Sequence, residues 1–405
     1  MNTFKKIYCR IFQTAMRMMI PLFPYREPKL LSGAEEIADT LEKHNIKKVM
    51  LMVSRSVRAR GHSARLEKLL SEKHIDFTIY DRTKPDPTSD NVEEARGEYE
   101  KFGAEAIIAF GGGSVMDCAK AVGARIVRPK KPLRKMAGLI KIRRRLPLFV
   151  AVPTTAGTGS ETTVASVIVD FETHRKYVIS DFSLIPHYAA LIPEVTVGLS
   201  PYLTATTGMD ALTHAVEAYI GRSRTRETAR QAEEAVKLIF ENLERAYNDG
   251  ADIAARENML RASYLAGCAF TKSYVGYVHA IAHTLGGRYG VAHGLANAVI
   301  LPRMLRIYGD NVTKSLSRLA VVCGIAKDDS PKACAEAFIL RIEAMNARMQ
   351  IPDSFDCISE DDIPSMAATA EREANPLYPV PMLLGKDELS EIYRSLIKKT
   401  QQACV

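Results

Sequence analysis

Four short apolar runs dominate the first half of the chain: KKVMLMVS (47–54), DFTIYD (76–81), AEAIIAF (104–110) and LPLFVAVPTT (146–155). Amphipathic stretches separate them, among them AEEIADTLEKHN, ARLEKLLSEKH and VEEARGEYEKFG. Strand–helix alternation of this kind leaves little choice of fold. The strands are expected to pair in parallel, with the helices covering both faces of the sheet. VASVIVD and KYVISD, within 164–181, read as further strands and a hairpin. After about Ser200 the pattern becomes helical, over 227–247, 251–271, 278–287, 293–308, 311–323, 330–348 and 386–400, with no convincing strand. The expectation is an α/β domain over 1–200, with 1–28 as an N-terminal extension, and an all-helical domain over 201–405.

The helical half carries an unusual group of side chains. VGYVHAIAHTLGGRYGVAHGLANAVILP (275–302) holds His279, His283 and His293, and TGMDALTHAVEAY holds Asp210 and His214. Residues four apart on a helix project from one face. Small apolar neighbours imply burial, and a buried imidazole needs a partner. A first-row divalent ion such as Fe(II), Zn(II) or Co(II) would serve a carboxylate and several imidazoles together. Spacing by itself favours His279 and His283 as the natural pair, with His293 third. The alternative is a set of satisfied core histidines.

Two loops follow strands directly and are expected on one sheet edge, where ligands of such folds bind. FGGGSVMDCAKA lets the backbone approach a phosphate at a helix N-terminus, although it matches neither GxGxxG nor GxxxxGK[ST]. PTTAGTGSE adds hydroxyl and backbone donors. Together they favour a pyrophosphate-containing ligand over two plain polar turns.

Composition excludes other classes. A 47% hydrophobic and 25% charged chain of 405 residues is globular. The seven cysteines include no CxxC, which fits reduced thiols and a cytoplasmic setting. The net charge of +8 owes much to residues 125–147, which hold ten Lys or Arg and no acid. Without interleaved aromatics or a nucleic-acid motif, that segment reads as a solvated connection, and no nucleic-acid partner is expected. No run approaches the roughly 18 apolar residues that span a bilayer. Residues 1–28 are basic and then apolar like a signal peptide, but Arg17 interrupts the apolar part and no small-residue cleavage site follows. A short amphipathic helix ending near Pro21 is expected, with no membrane partner; membrane association through it is the minor alternative.

GGGSVMDCAKAVGA, PTTAGTGSE, GMDALTHAVEAY and HAIAHTLGGRYGVAHGLANAVILP, in this order, resemble the iron-containing (group III) alcohol dehydrogenases of the butanol-dehydrogenase-like kind. The resemblance runs from about residue 30 to about 400. It implies a Rossmann-like N-terminal domain and a C-terminal all-helical metal-binding domain, the dehydroquinate-synthase-like fold. It also implies metal ligands at Asp210, His214, His279 and His293, which makes His283 a pocket residue and goes against the spacing preference. It places Gly112, Gly113, Ser114, Thr154, Thr155, Thr158 and Lys176 around a dinucleotide, and matches Phe270 to a substrate-pocket position.

Three positions depart from that pattern. Ser54-Arg55 stands where Thr-Asp is usual, Asp86 where Asn is usual, and Ile192 where Asp is common. An acid after the first strand would hold the adenosine ribose and repel a 2′-phosphate. Arg55 would instead pair with that phosphate, so NADP is favoured over NAD. The expected protein is a homodimeric, metal-dependent NAD(P)-linked oxidoreductase of small alcohols and aldehydes. Fe2+ is its expected metal, with Zn2+ as the alternative, and His283 its proton relay. The alternatives are a glycerol-type polyol dehydrogenase of the same fold and a catalytically silent metal- or nucleotide-binding protein.

Overall fold

The computed structural model describes residues 1–173, 175–327 and 330–398, so Cys404 and residues 399–400 of the last expected helix lie outside it. Nine strands are described: β1 (Lys29–Leu31), β2 (Lys48–Val53), β3 (Asp76–Tyr80), β4 (Ala106–Gly111), β5 (Gly138–Leu139), β6 (Leu148–Pro153), β7 (Ala165–Val169), β8 (Lys176–Ser180) and β9 (Tyr188–Ala190). Six form a sheet in the order β1-β9-β6-β4-β2-β3, and every neighbouring pair is parallel. The four apolar runs of the sequence are its four longest strands. β5, β8 and β7 form a separate small sheet around the β7–β8 hairpin.

After α1 (Thr3–Met19), the helices of the first half are α2 (Ala34–Lys43), α3 (Arg55–Ala59), α4 (Ala64–Glu72), α5 (Ser89–Phe102) and α6 (Gly113–Val127). Alternate residues of a strand point to opposite faces, and the core divides accordingly. Met50, Met52, Ile107, Ala109, Phe149 and Ala151 pack with Val92, Tyr99, Ala119 and Val122 of α5 and α6. Val49, Leu51, Ile108, Phe110, Val150 and Val152 pack with Ile37, Leu41, Leu66 and Leu70 of α2 and α4. Burial on both faces is why β2 and β4 read as unbroken apolar runs.

The remaining helices are α7 (Pro201–Ile220), α8 (Arg226–Asn248), α9 (Ile253–Ser273), α10 (Tyr277–Tyr289), α11 (His293–Tyr308), α12 (Thr313–Val322), α13 (Pro331–Arg348), α14 (Ile363–Ala374) and α15 (Lys386–Leu396). α7 is buried around its circumference from Gly208 to Ile220, which accounts for its lack of a polar face. No helix among the described residues is long and apolar enough to cross a membrane.

The chain forms two compact units: Pro24–Leu199 with Gly250–Thr271, and Met1–Phe23 with Ser200–Asp249 and Lys272–Val405. This partition differs from the expected halves in two segments. Helix α1 belongs to the helical unit, because Arg10 donates to the carbonyls of Val380 and Pro381 at 2.7 and 2.8 Å. Most of α9 belongs to the sheet unit. There Tyr264 Oη donates to the Pro28 carbonyl at 2.8 Å. Gly159, in the left-handed region at φ +58°, also lies so close to Gly267 that a Cβ on it would come within 2.8 Å of the Gly267 Cα.

The basic segment largely folds on its own carbonyls. Arg125, buried and paired with Glu93, donates to the carbonyls of Arg128, Pro129 and Lys131. Arg128 donates to Ile142 and Lys131 to Lys141.

Candidate functional site

Asp210, His214 and Glu217 follow one another at helical spacing along α7, and α10 and α11 bring three more histidines to the same unit. Asp210 Oδ1 lies 3.8 Å from His279 Nε2 and 3.4 Å from His293 Nε2. One donor atom from each of these three residues lies within 4.8 Å of the others. Asp210 and His279 are buried, and His293 is partly exposed at the start of α11. The approach of α11 to α7 requires Gly294, since a Cβ there would sit 2.2 Å from the Thr206 carbonyl oxygen.

Polar neighbours orient the cluster. His279 Nδ1 is 2.6 Å from Glu217 Oε2, and the same carboxylate accepts from the backbone N–H groups of Gly276 and Val278 at 2.8 and 2.9 Å. Burial, reinforced by His214, His293 and His283, drives the His279 imidazole well below its usual pKa. The ring is therefore neutral. With Nδ1–H directed at Glu217, its Nε2 lone pair faces Asp210. Burial also raises the Glu217 carboxyl to about 7, against the pull of the backbone N–H groups it accepts from.

Asn297 Nδ2 donates to Asp210 Oδ1 at 2.7 Å and lies 3.3 Å from His279 Nε2 and 3.1 Å from His293 Nε2. Lone pairs from a carboxylate and two imidazoles thus converge on one small volume. This donor set fits a first-row divalent ion.

The buried His214 ring stacks on His279, with centroids 4.5 Å apart, but it is not part of the converging set of three. His283, the other half of the pair that spacing favoured, points elsewhere. Its Nδ1 lies 2.6 Å from Glu373 Oε1, which also accepts from Tyr378 Oη at 2.8 Å, and its ring stacks on His293 at 5.2 Å. Burial opposes charging of His283, but the Glu373 hydrogen bond and charge outweigh it, and the pKa is raised.

In the sheet unit the two expected loops lie side by side. β4 and β6 are parallel neighbours that end at Gly111 and Pro153, and Thr154 N donates to the Gly111 carbonyl at 3.2 Å. Gly112 caps α6, and a Cβ on Gly113 would come within 3.2 Å of Thr158 Cγ2. Ser114 lies in the first turn of α6 and Thr155 beside Gly112. These backbone N–H groups at a helix N-terminus suit a phosphate.

The β2 loop leaves the same edge, on the other side of β4. Ser54 caps α3 by accepting from Val57 N at 3.2 Å. Arg55 is exposed and makes no hydrogen bond or ion pair among the described residues, whereas Arg58 pairs with Asp81 at 2.5 Å. Lys176 pairs with Asp86 at 2.7 Å, so two of the positions singled out in the sequence hold each other. Ile192 precedes a short turn at Pro193–Thr196. Phe270 is half-buried on α9.

Four residues that organise these sites were not singled out from the sequence. Glu217 and Asn297 lie inside quoted motifs, three and four residues after His214 and His293 respectively. Asp117 and Lys120 lie in GGGSVMDCAKA. Lys120 Nζ, fully buried, donates to the carbonyls of Ser160, Thr163 and Ala165 at 2.6, 3.1 and 2.9 Å, and to both hydroxyls of Ser160 and Thr163. Asp117 accepts from Ser160 Oγ at 2.9 Å and Val167 N at 2.9 Å. The available signal was charged residues within an otherwise apolar helix, which must find partners when buried.

Comparison with known proteins gives this arrangement a family. Residues 28–193 match the model for iron-containing alcohol dehydrogenase, and residues 204–397 match that for the C-terminal part of the Fe-containing alcohol dehydrogenase family. The 1,3-propanediol dehydrogenase of Citrobacter freundii is 37% identical over 354 residues, 86% of this chain and 91% of that protein. The NAD-dependent methanol dehydrogenase of Bacillus methanolicus is 33% identical over 344 residues, 84% of this chain and 89% of that one. The crystal structure of a 1,3-propanediol oxidoreductase superposes with a TM-score of 0.89 at 34% identity, covering 93% of this chain and all of that one. The chain belongs to the iron-containing alcohol dehydrogenase family and is a metal-dependent, NAD-linked oxidoreductase of alcohols and aldehydes.

Proposed function

We propose that Asp210, His214, His279 and His293 hold one Fe(II) ion, with Zn(II) as the alternative that the same donors admit. The substrates are short primary alcohols or terminal diols and their aldehydes, and the nucleotide is NADP(H) in preference to NAD(H). The single observation that carries this reading is the convergence of the Asp210, His279 and His293 donor atoms, with Glu217 behind His279. When bound, the ion supplies Lewis acidity and the nucleotide supplies the hydride chemistry.

The chain's own residues do the rest. Glu217 holds His279 in the tautomer that offers Nε2. His283, more exposed than its neighbours and tied to Glu373, exchanges the substrate proton with solvent. Gly112, Gly113 and Ser114 receive the pyrophosphate at the start of α6, and Thr154, Thr155 and Thr158 supply hydroxyls. Lys176 closes this site with its partner Asp86, and Phe270 bounds the substrate. Arg55 takes the 2′-phosphate, because its guanidinium is exposed and uncommitted.

A cytoplasmic homodimer is the proposed form, supported by the six unbridged cysteines of the described residues and by the prevalence of two-fold assemblies. The test is anaerobic loading of metal-free protein with Fe(II) or Zn(II), followed by reduction of a panel of short aldehydes with NADPH and NADH. Turnover that requires the metal is the expected result. Bound metal and nucleotide without turnover of any aldehyde would sink the reading.

A further inference from the structure

Helix α1 turns Gln13 and Arg10 inward beside buried Cys9 and Ile20, and leaves a second apolar side uncovered. Buried Gln13 donates through Nε2 to the carbonyls of Tyr378 and Pro376 at 2.7 and 3.3 Å, and Arg10 donates to those of Val380 and Pro381. Helices of globular proteins normally bury the apolar side. Here Phe4, Ile7, Tyr8, Ile11 and Met18, which share the opposite side at helical spacing, are 85, 52, 58, 66 and 68% exposed. A contiguous apolar face of this kind marks an interaction surface.

The charge around that face has one sign. Residues 1–26 contain five Lys or Arg and no Asp or Glu. Lys6 and Arg17 are exposed on the flank of the helix that also carries Arg10, and Lys5 is paired with Glu371. Beside α1 runs an open groove of about 750 Å³, lined by Ile7, Ile11 and Leu383 together with Lys6, Arg10 and Arg222; none of the described residues lining it is acidic. The family model begins only at residue 28, so this helix lies outside the matched span.

We propose that the α1 face is a docking surface for an anionic phospholipid bilayer, with the helix lying in the plane of the interface. Its apolar side chains enter the headgroup–acyl boundary, and Lys6, Arg17 and Arg222 meet lipid phosphates. This departs from the expectation drawn from the sequence, in which Arg17 interrupted an apolar run. On the helix, Arg17 lies about 120° around the axis from the centre of the apolar face and does not break it. A second copy of the chain is the less favoured occupant, because a two-fold contact would bring the same cations against each other, whereas anionic lipid neutralises them.

The experiment is co-sedimentation of the full chain with phosphatidylglycerol–phosphatidylcholine vesicles and with pure phosphatidylcholine vesicles. Three proteins are compared: wild type, Phe4→Ser/Ile11→Ser, and Lys6→Gln/Arg17→Gln. Wild type is expected to bind the anionic vesicles about tenfold more strongly than the neutral ones, and to release as salt rises. Both double variants should lose most of that binding while their vesicle-free aldehyde reduction stays at the wild-type rate. Equal binding to both vesicle types, no binding, or wild-type binding by Phe4→Ser/Ile11→Ser overturns the proposal. So does light scattering that shows an oligomer which Phe4→Ser/Ile11→Ser dissolves while wild type ignores the vesicles.

Discussion

Glu217 Oε2 lies 2.6 Å from His279 Nδ1, and this buried pair decides which nitrogen of the imidazole looks towards Asp210. In Glu217→Gln, an amide N–H facing Nδ1 would favour the tautomer protonated on Nε2 and so block the donor atom. Metal affinity is expected to fall about 10- to 100-fold, as measured by competition with a chelator. With the amide nitrogen in the place of Oε2, the amide oxygen still accepts from Val278 but the Gly276 N–H loses its acceptor, so the metal-free protein should also lose about 1–3 kcal/mol of stability. An unchanged metal affinity would refute the orienting role.

Lys120 concerns the nucleotide loops. Its ammonium is buried with Asp117 and Glu161, and burial lowers it to about 8 while raising Glu161 to about 7. Lys120→Met would remove the cation that acts on buried Glu161 and partly buried Asp117, and strip donors from Ser160, Thr163 and Ala165. A loss of about 3–5 kcal/mol in unfolding free energy is expected, together with weaker NADPH binding measured by fluorescence titration. If stability falls but the nucleotide Kd does not move, Lys120 is a plain core residue.

Arg55 sets the nucleotide preference in the proposed reading. A charge-assisted hydrogen bond to a 2′-phosphate contributes about 1.5–3 kcal/mol. Arg55→Asp should therefore lower the NADPH/NADH ratio of kcat/KM by about 10- to 100-fold. Arg58→Ala provides the contrast, because that side chain is held by Asp81. An Arg55→Asp enzyme with the wild-type ratio would show that Arg55 is only a solvated surface residue.

His187 makes stability depend on pH. Its Nδ1 accepts from Phe149 N at 3.1 Å, and burial, with Arg26, Arg145 and His44 nearby, pushes its pKa down from 6.5 to about 4. Between these values the unfolded chain binds the proton and the folded chain does not. This contribution to stability is therefore complete above about pH 6.5 and is lost as the pH falls towards 4. His187→Asn keeps an acceptor for Phe149 N but does not titrate. Urea unfolding at pH 7 and pH 5 should show a smaller difference for the variant than for wild type; equal differences would exclude His187 as the source.

Much of the fold was legible because its signals are local. β2 and β4 are apolar on both faces, and α11 starts at His293 and ends at Tyr308 as its periodicity predicts. β1 and β9, with three residues each, are too short to show a period of two, and they pair with each other across more than 150 residues. α14 was missed as well.

The sequence by itself determined the element types, the order of the motifs and the residue kinds available to bind a metal and a nucleotide, because periodicity and side-chain chemistry are properties of neighbouring residues. Tertiary structure decided which side chains meet. It brought His279 and His293 to Asp210, turned His283 to Glu373 and set Glu217 behind His279, since contacts across 60 to 90 residues depend on how helices pack. It also decided which side of α1 faces outward. Periodicity defines an apolar face, but the burial of Cys9 and Ile20 and the carbonyls that Gln13 and Arg10 found direct that face away from the protein.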